Sequence, residues 1–292
     1  MNINCDSYYQ EILEDLATYK DLDTSLNASM MERLLVRQVP TDQLHANPDD
    51  EFSMEDIGPN EELVSLYRDQ MVQNMKTLGR LNIKPLMVEK MLFGGYKILD
   101  GHHRWLAARM LHVKKLPVRI VNHINKNEIL SALEQSDHKI CVAFDLDDVL
   151  LRDKEDALAA RIYFGLMTTF YPKAVRKNAA ALIDKLQEMS FDVWVYTGGY
   201  YSGKYIQSLL KCYGIKNCQV LNGMRKQKFR KSVRQYFHEN YRIMMHVDNE
   251  SVLWIDTRTK EYDWIDVPRG KDWAVNVYKV IKDFLVKRQR ES

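Results

Sequence analysis

A chain of 292 residues, 46% hydrophobic and 28% charged, is long enough for two globular domains with buried cores. Its net charge of +2 lacks the basic excess of a DNA-coating protein, which leaves DNA or RNA as a disfavoured partner class. No apolar run reaches membrane-spanning length and the four cysteines lack metal-ligand spacing, so a cytoplasmic protein without a membrane partner is expected.

Residues 6–36 read as one or two helices, with Leu13, Leu16 and Tyr19 at helical spacing; residues 1–31 are set apart as an N-terminal helical segment. A helix over 61–78 and a strand over 84–89 follow. The run Tyr96-Lys-Ile-Leu-Asp100-Gly-His-His-Arg104 then reads as a strand, a tight turn and the start of an amphipathic helix, and residues 115–121 as a further strand. Gly101 lets the backbone approach an anion closely, and a helix N-terminus offers unpaired N–H groups and the positive end of a dipole. Arg104 could chelate a phosphate with two parallel bonds. His102 and His103 are adjacent, so they diverge on a helix and a two-histidine metal site is not expected. The plain alternative is a strand–turn–helix with a buried arginine.

In element order and motif, residues 32–122 resemble the ParB/sulfiredoxin superfamily, whose Gly-x-x-Arg turn opens a helix that binds nucleotide phosphates. His102 stands where sulfiredoxins carry cysteine, so sulfinic acid reduction is not expected. Asp-Gly-His-His-Arg is most similar to the nucleotide-dependent free serine kinases of that superfamily. The resemblance implies ATP or ADP as ligand, held by Asp100, Gly101, His102, His103 and Arg104, with Glu51 as the upstream base.

Residues 123–138 are polar and read as a linker with a short helix over 127–135; residues 139–292 form the second domain. There the apolar run Ile140–Phe144 ends in Asp145, Asp147 and Asp148, as when a buried parallel strand delivers carboxylates to the ligand-binding edge of an α/β sheet. Asp145 and Asp147, two apart, share a strand face, where a cation or separated pKa values would relieve their repulsion. An acidic helix cap is the alternative. Two helices are predicted over 155–171 and 175–189, broken at Pro172. A second strand ends in Thr197 and two glycines, and a third in Asp248, with a basic stretch over 225–231 between them. Strands over 251–256 and 262–267 and a helix over 273–288 close the chain, with Trp254 and Trp264 as packing groups.

This order of strand-DxD, strand-Thr, Lys and strand-Asp resembles the haloacid dehalogenase (HAD) phosphohydrolases. The resemblance implies Mg²⁺ at Asp145, Asp147 (through its carbonyl) and Asp248. It also implies Asp145 as a nucleophile forming an aspartyl phosphate, and Asp147 as acid and base. Thr197 and a lysine, Lys228 or Lys226, would bind phosphate oxygens. The fourth motif departs from the pattern, since Asn249 and Glu250 follow Asp248. The short insert leaves no large cap and a site open to a small or large phosphorylated substrate. The expected fold is therefore α/β: a small ParB/sulfiredoxin-like α+β domain, then a Rossmann-like HAD domain with a parallel central sheet. The expected function is a Mg²⁺-dependent phosphohydrolase with an N-terminal nucleotide-binding domain. The alternatives are a bifunctional nucleotide-dependent kinase and phosphatase, and a ParB-like DNA-binding or regulatory protein with an accessory HAD domain.

Overall fold

The structure is a computed structural model and describes the chain except residues 1–4, 21, 23, 123–125, 162–172, 223–226, 269, 271 and 292. The chain divides into two compact units, Met1–Asn122 and His123–Ser292.

The first unit contains α1 (Cys5–Ala17), β1 (Ser25–Leu26), α2 (Met30–Leu34), β2 (Arg37–Pro40) and β3 (Leu44–His45). It continues with α3 (Glu61–Leu78), β4 (Leu86–Met91), β5 (Tyr96–Asp100), α4 (His102–Met110) and β6 (Lys115–Ile120). Its mixed sheet runs β2-β6-β4-β5-β3, with β1 also on β4. Leu86, Val88, Ile98, Leu116 and Val118 bury one core with Trp105 and Leu106 of α4. Ile12 and Leu16 of α1 join that core, and the Tyr19 hydroxyl donates to the Ala46 carbonyl at 2.8 Å, so the N-terminal helical segment packs within this unit. Asn60 caps α3 by accepting the Leu63 N–H at 3.0 Å, and Gly79 ends it at φ 63°.

The second unit contains α5 (Lys126–Glu134), β7 (Ile140–Asp145), β8 (Leu151–Asp153), β9 (Lys173–Val175), α6 (Ala179–Glu188), β10 (Asp192–Tyr196) and α7 (Gly203–Cys212). Then come β11 (Gln219–Leu221), α8 (Gln227–Asn240), β12 (Ile243–Val247), β13 (Ser251–Asp256), β14 (Tyr262–Asp266) and α9 (Trp273–Glu291). The sheet order is β11-β10-β7-β12-β13-β14. The first four strands are parallel and the last two antiparallel. From β7 the chain builds outward through β10 and β11, then returns to place β12 on the other side. The carboxyl ends of β7 and β12 thus flank a topological switch point, where ligands of open α/β sheets bind.

Alternation along β7 divides two cores. Val142 and Phe144 pack with α6, α7 and α9; Cys141 and Ala143 pack with α5 and α8. Both faces are covered, which is why the strand reads as a continuous apolar run.

Several sequence expectations change. Ile129 and Leu133 of α5 are buried against Cys141 and Trp194, so this helix is core material of the second unit and not a loose connector. Residues 155–158 form turns and Ala159 bridges Arg176 where a helix over 155–171 was expected, and residues 162–171 lie outside the described residues. Residues 173–175 are strand, because Arg152 and Ala174 pair in the β8–β9 hairpin; the next helix begins only at Ala179, after Asn178 at φ 62°. The sheet is mixed and not wholly parallel, since three residues between β12 and β13 suffice for a hairpin but not a crossover. Trp254 packs on Phe284 at 4.7 Å, whereas Trp264 is 58% exposed on an outer strand.

Candidate functional site

In the first unit, β5 ends at Asp100 and the chain reverses at Gly101, φ 106°, into α4. A Cβ there would lie 2.4 Å from Leu86 Cδ2 and 2.9 Å from Arg104 Nη2, so the turn requires glycine. Helix geometry leaves the backbone N–H groups of His102, His103 and Arg104 without intrahelical acceptors, and the dipole makes this end positive.

The side chains brace the turn. Arg104 is buried; its Nη1 donates to the Lys84 carbonyl at 2.6 Å and the Pro85 carbonyl at 3.3 Å, and its Nη2 to Asp100 Oδ2 at 2.9 Å. It therefore ties β5 to the segment before β4 instead of extending as a phosphate clamp, as in the plain alternative of a buried arginine. His102 Nε2 accepts the Asn47 N–H at 3.1 Å, which puts the ring proton on Nδ1. Burial drives the His102 pKa down to about 4, against the opposing pull of Asp50, 3.6 Å from Nδ1. His103 Nε2 accepts the Asn60 N–H at 3.0 Å, and burial lowers its pKa as well. Phe52 stacks on His102 with centroids 5.1 Å apart and meets His103 edge-on at 5.4 Å. The two histidines diverge, as their adjacency requires, and hold loop 47–60 to the start of α4 at both ends. Glu51, next to Phe52, remains exposed.

A cavity of about 700 Å³ lies at the other end of α4, lined by Tyr8, Glu11, Asp15, His45, Arg109 and Lys114 among others. Arg109 pairs with Glu11 at 2.7 Å and lies over the Trp105 ring, and His45 pairs with Asp15 at 2.9 Å.

In the second unit, strand register brings Asp145, Thr197 and Asp248 to the ends of three adjacent parallel strands: Tyr196 is opposite Asp145, and Val247 opposite Phe144. Asp145 Oδ1 accepts the Asp147 N–H at 2.9 Å, capping the π-helical turn Leu146–Leu150. Asp147 Oδ2 accepts the Thr197 hydroxyl at 2.5 Å, and Thr197 Oγ1 accepts the Gly199 N–H at 2.8 Å. Thr197 is fully buried, and its proton is directed to Asp147. Tyr201 also hydrogen-bonds Asp147; burial first, then the Asp147 charge, push its pKa up to about 12. A Cβ on Gly199 would sit 2.5 Å from the Tyr201 ring, so glycine is needed for this contact.

Asp248 is exposed; its Oδ1 accepts the Asn249 N–H at 2.6 Å, and its carbonyl accepts the Trp273 indole N–H at 3.3 Å. Among the described residues no three His, Cys, Asp or Glu side chains gather to hold a metal. Asp145, Asp248 and the Asp147 carbonyl would offer the hard oxygen donors that Mg²⁺ takes alongside water. Lys226 lies outside the described residues, and only the backbone of Lys228 is described, in the first turn of α8.

Sequence reasoning missed three residues at this edge. Asn249 Oδ1 accepts from Arg152 Nη2 at 2.7 Å and Arg176 Nη1 at 2.8 Å. Arg176 also lies 4.1 Å from the Trp273 ring centroid, and burial, followed by the Arg152 charge, lowers its pKa to about 10. The departure at Asn249 from the acidic motif was visible; the arginines, far apart in sequence, gave no local signal.

The ParB N-terminal domain family matches residues 25–136. An ATP-dependent L-serine kinase of Staphylothermus marinus is 23% identical over 161 residues, 50% of this chain and 64% of that protein, so the match spans less than two thirds of the relative. The C-terminally truncated chromosome-partitioning protein ParB from Caulobacter crescentus, complexed to its centromeric parS site, is 22% identical over 34% of this chain and 46% of its own, at a TM-score of 0.23. A free serine kinase in complex with AMP is 12% identical over 89% of this chain and 86% of its own, at a TM-score of 0.24.

Proposed function

We propose that the chain is a nucleotide-dependent phosphotransferase of the kinase type, with ATP as donor and a small hydroxyl compound as acceptor. The observation that carries this reading is the Gly101 turn, whose glycine and braced side chains fix the amino end of α4 against the loop that carries the exposed Glu51. The match to ParB N-terminal domains and the similarity to an ATP-dependent L-serine kinase support it. On this reading the backbone N–H groups of residues 102–104 hold nucleotide phosphates. Asp100, His102, His103 and Arg104 position that turn, and Glu51 takes the proton of the acceptor hydroxyl as its oxygen attacks the γ-phosphorus and ADP leaves. The full chain should move label from γ-labelled ATP to an acceptor, with L-serine the first to try. Glu51→Gln should slow the transfer by about 10²–10⁴, the usual worth of a general base. Label recovered only as free phosphate, in a chain that also carries Asp145→Asn, would overturn the kinase reading.

A second reading concerns the other unit and makes the protein bifunctional. It is favoured by strand register that brings Asp145, Thr197 and Asp248 to the ends of adjacent strands at a sheet switch point, with Asp147 bonded to Thr197. On this reading the second unit is a HAD-like phosphohydrolase. An Asp145 oxygen attacks phosphorus, the ester oxygen departs with a proton from Asp147, and water then releases phosphate from the aspartyl phosphate. Thr197 and Tyr201 fix Asp147. Lys228, or Lys226, binds a phosphate oxygen. Mg²⁺ held by Asp145, Asp248 and the Asp147 carbonyl would offset phosphoryl charge. The chain should hydrolyse p-nitrophenyl phosphate, and Asp145→Asn should remove nearly all turnover; an unchanged rate in that variant would overturn this reading.

A further inference from the structure

We propose that Arg152, Arg176 and Asn249 form a phosphate-binding site at the carboxyl edge of the second unit's sheet, a site that neither reaction above employs. Three elements meet there: Arg152 lies in β8, Arg176 directly follows β9, and Asn249 sits in the turn between β12 and β13. Both guanidiniums donate to one acceptor, Asn249 Oδ1, at 2.7 Å and 2.8 Å. An amide oxygen carries no net charge, so two full positive charges are held side by side around a neutral group. Among the residues whose side chains are described, neither arginine forms an ion pair with a carboxylate; Asp156 acts on Arg176 only from farther away. Arg176 is 5% exposed, and the Trp273 ring beneath it recovers part of the lost hydration. Arg152 Nε is buried with no hydrogen-bond partner among the described residues. A buried N–H without an acceptor and a like-charge pair without a counter-charge are both costly, and one anion relieves both.

Charge and shape select the anion. A phosphate group carries about −1.5 to −2 near neutral pH, close to the charge of two arginines, and offers several strong acceptor oxygens. Guanidinium forks match such oxygens bidentately. The position agrees, since ligands of open α/β sheets bind beyond the carboxyl ends of the strands.

The test is inorganic phosphate binding to the full chain, by calorimetry and thermal unfolding at ionic strength held constant with chloride. Wild type should bind phosphate saturably. Arg152→Gln removes one charge from a half-buried position and should weaken binding about tenfold or more, as expected for charge-assisted hydrogen bonds. Asn249→Asp places a carboxylate where the two guanidiniums meet. It should raise the unfolding temperature without phosphate and abolish the phosphate-dependent increase. A packing role alone would not produce that exchange. Absence of saturable binding in wild type, or binding equally tight in both variants, would overturn the proposal; the latter would place the anion at the Gly101 turn or at Asp145.

Discussion

His102 is neutral at pH 7 because its Nε2 accepts the Asn47 N–H and burial lowers its pKa to about 4. The unfolded chain would protonate this ring near pH 6.5, so the unfolded state binds more protons between those values. The stabilisation is therefore fully present above pH 6.5 and is lost as pH falls toward 4. His103 adds in the same direction. Unfolding free energies from denaturant titrations at pH 7 to 4 should fall with a slope approaching about 1.4 kcal/mol per pH unit for one such proton. His102→Gln should flatten the slope, and an unchanged slope would contradict the assignment. Gly101→Ala should cost about 1–3 kcal/mol in chemical denaturation, from a strained φ and the clash with Leu86. Arg104→Ala should cost about 2–3 kcal/mol of stability by the same measurement, for it breaks an ion pair and two carbonyl contacts. At this scale the motif residues were legible in the sequence but their tasks were not. A Gly-x-x-Arg pattern marks the turn, whereas the Arg104 partners, Lys84 and Pro85, are brought in only by the sheet.

The elements that read most clearly were those with unbroken patterns. Strand β5 and helix α3 have the boundaries their sequences indicate, and the apolar run before Asp145 is a parallel strand covered on both faces. Patterns failed where tertiary pairing decides. Residues 173–175 are drawn into a hairpin with β8, and α5, polar enough to pass for a linker, supplies Ile129 and Leu133 to a core. Ile129→Ala should cost about 2–5 kcal/mol in the full chain, the range for buried aliphatic truncations. If the midpoint of the second unit's unfolding does not move, α5 is not part of that unit. Trp264 shows the converse: its alternation in β14 is strand-like, but the outer position leaves the ring in solvent.

Across the whole molecule, the proposed readings give the two units different chemistry for handling phosphate. The first offers backbone N–H groups at a helix start and one exposed carboxylate. The second offers carboxylates at a sheet edge beside an arginine pair. The turn at Gly101 was legible because a short glycine turn between a strand and a helix is local in sequence. The arginine pair was not, because residues 152, 176 and 249 converge only through the fold. ADP at a hundredfold excess over Kd should stabilise the first unit by about 2.7 kcal/mol, read as a higher unfolding midpoint of that unit.

The most direct test of the phosphotransferase reading is a single-turnover reaction of the full Asp145→Asn chain with γ-labelled ATP and L-serine. On the second reading this variant would silence the carboxylate site, so that transferred phosphate would not be hydrolysed there. The account expects label on the acceptor hydroxyl, nearly lost when Glu51→Gln is added. Label that stays on ATP with every small hydroxyl acceptor tried, or transfer that is indifferent to Glu51→Gln, would contradict it.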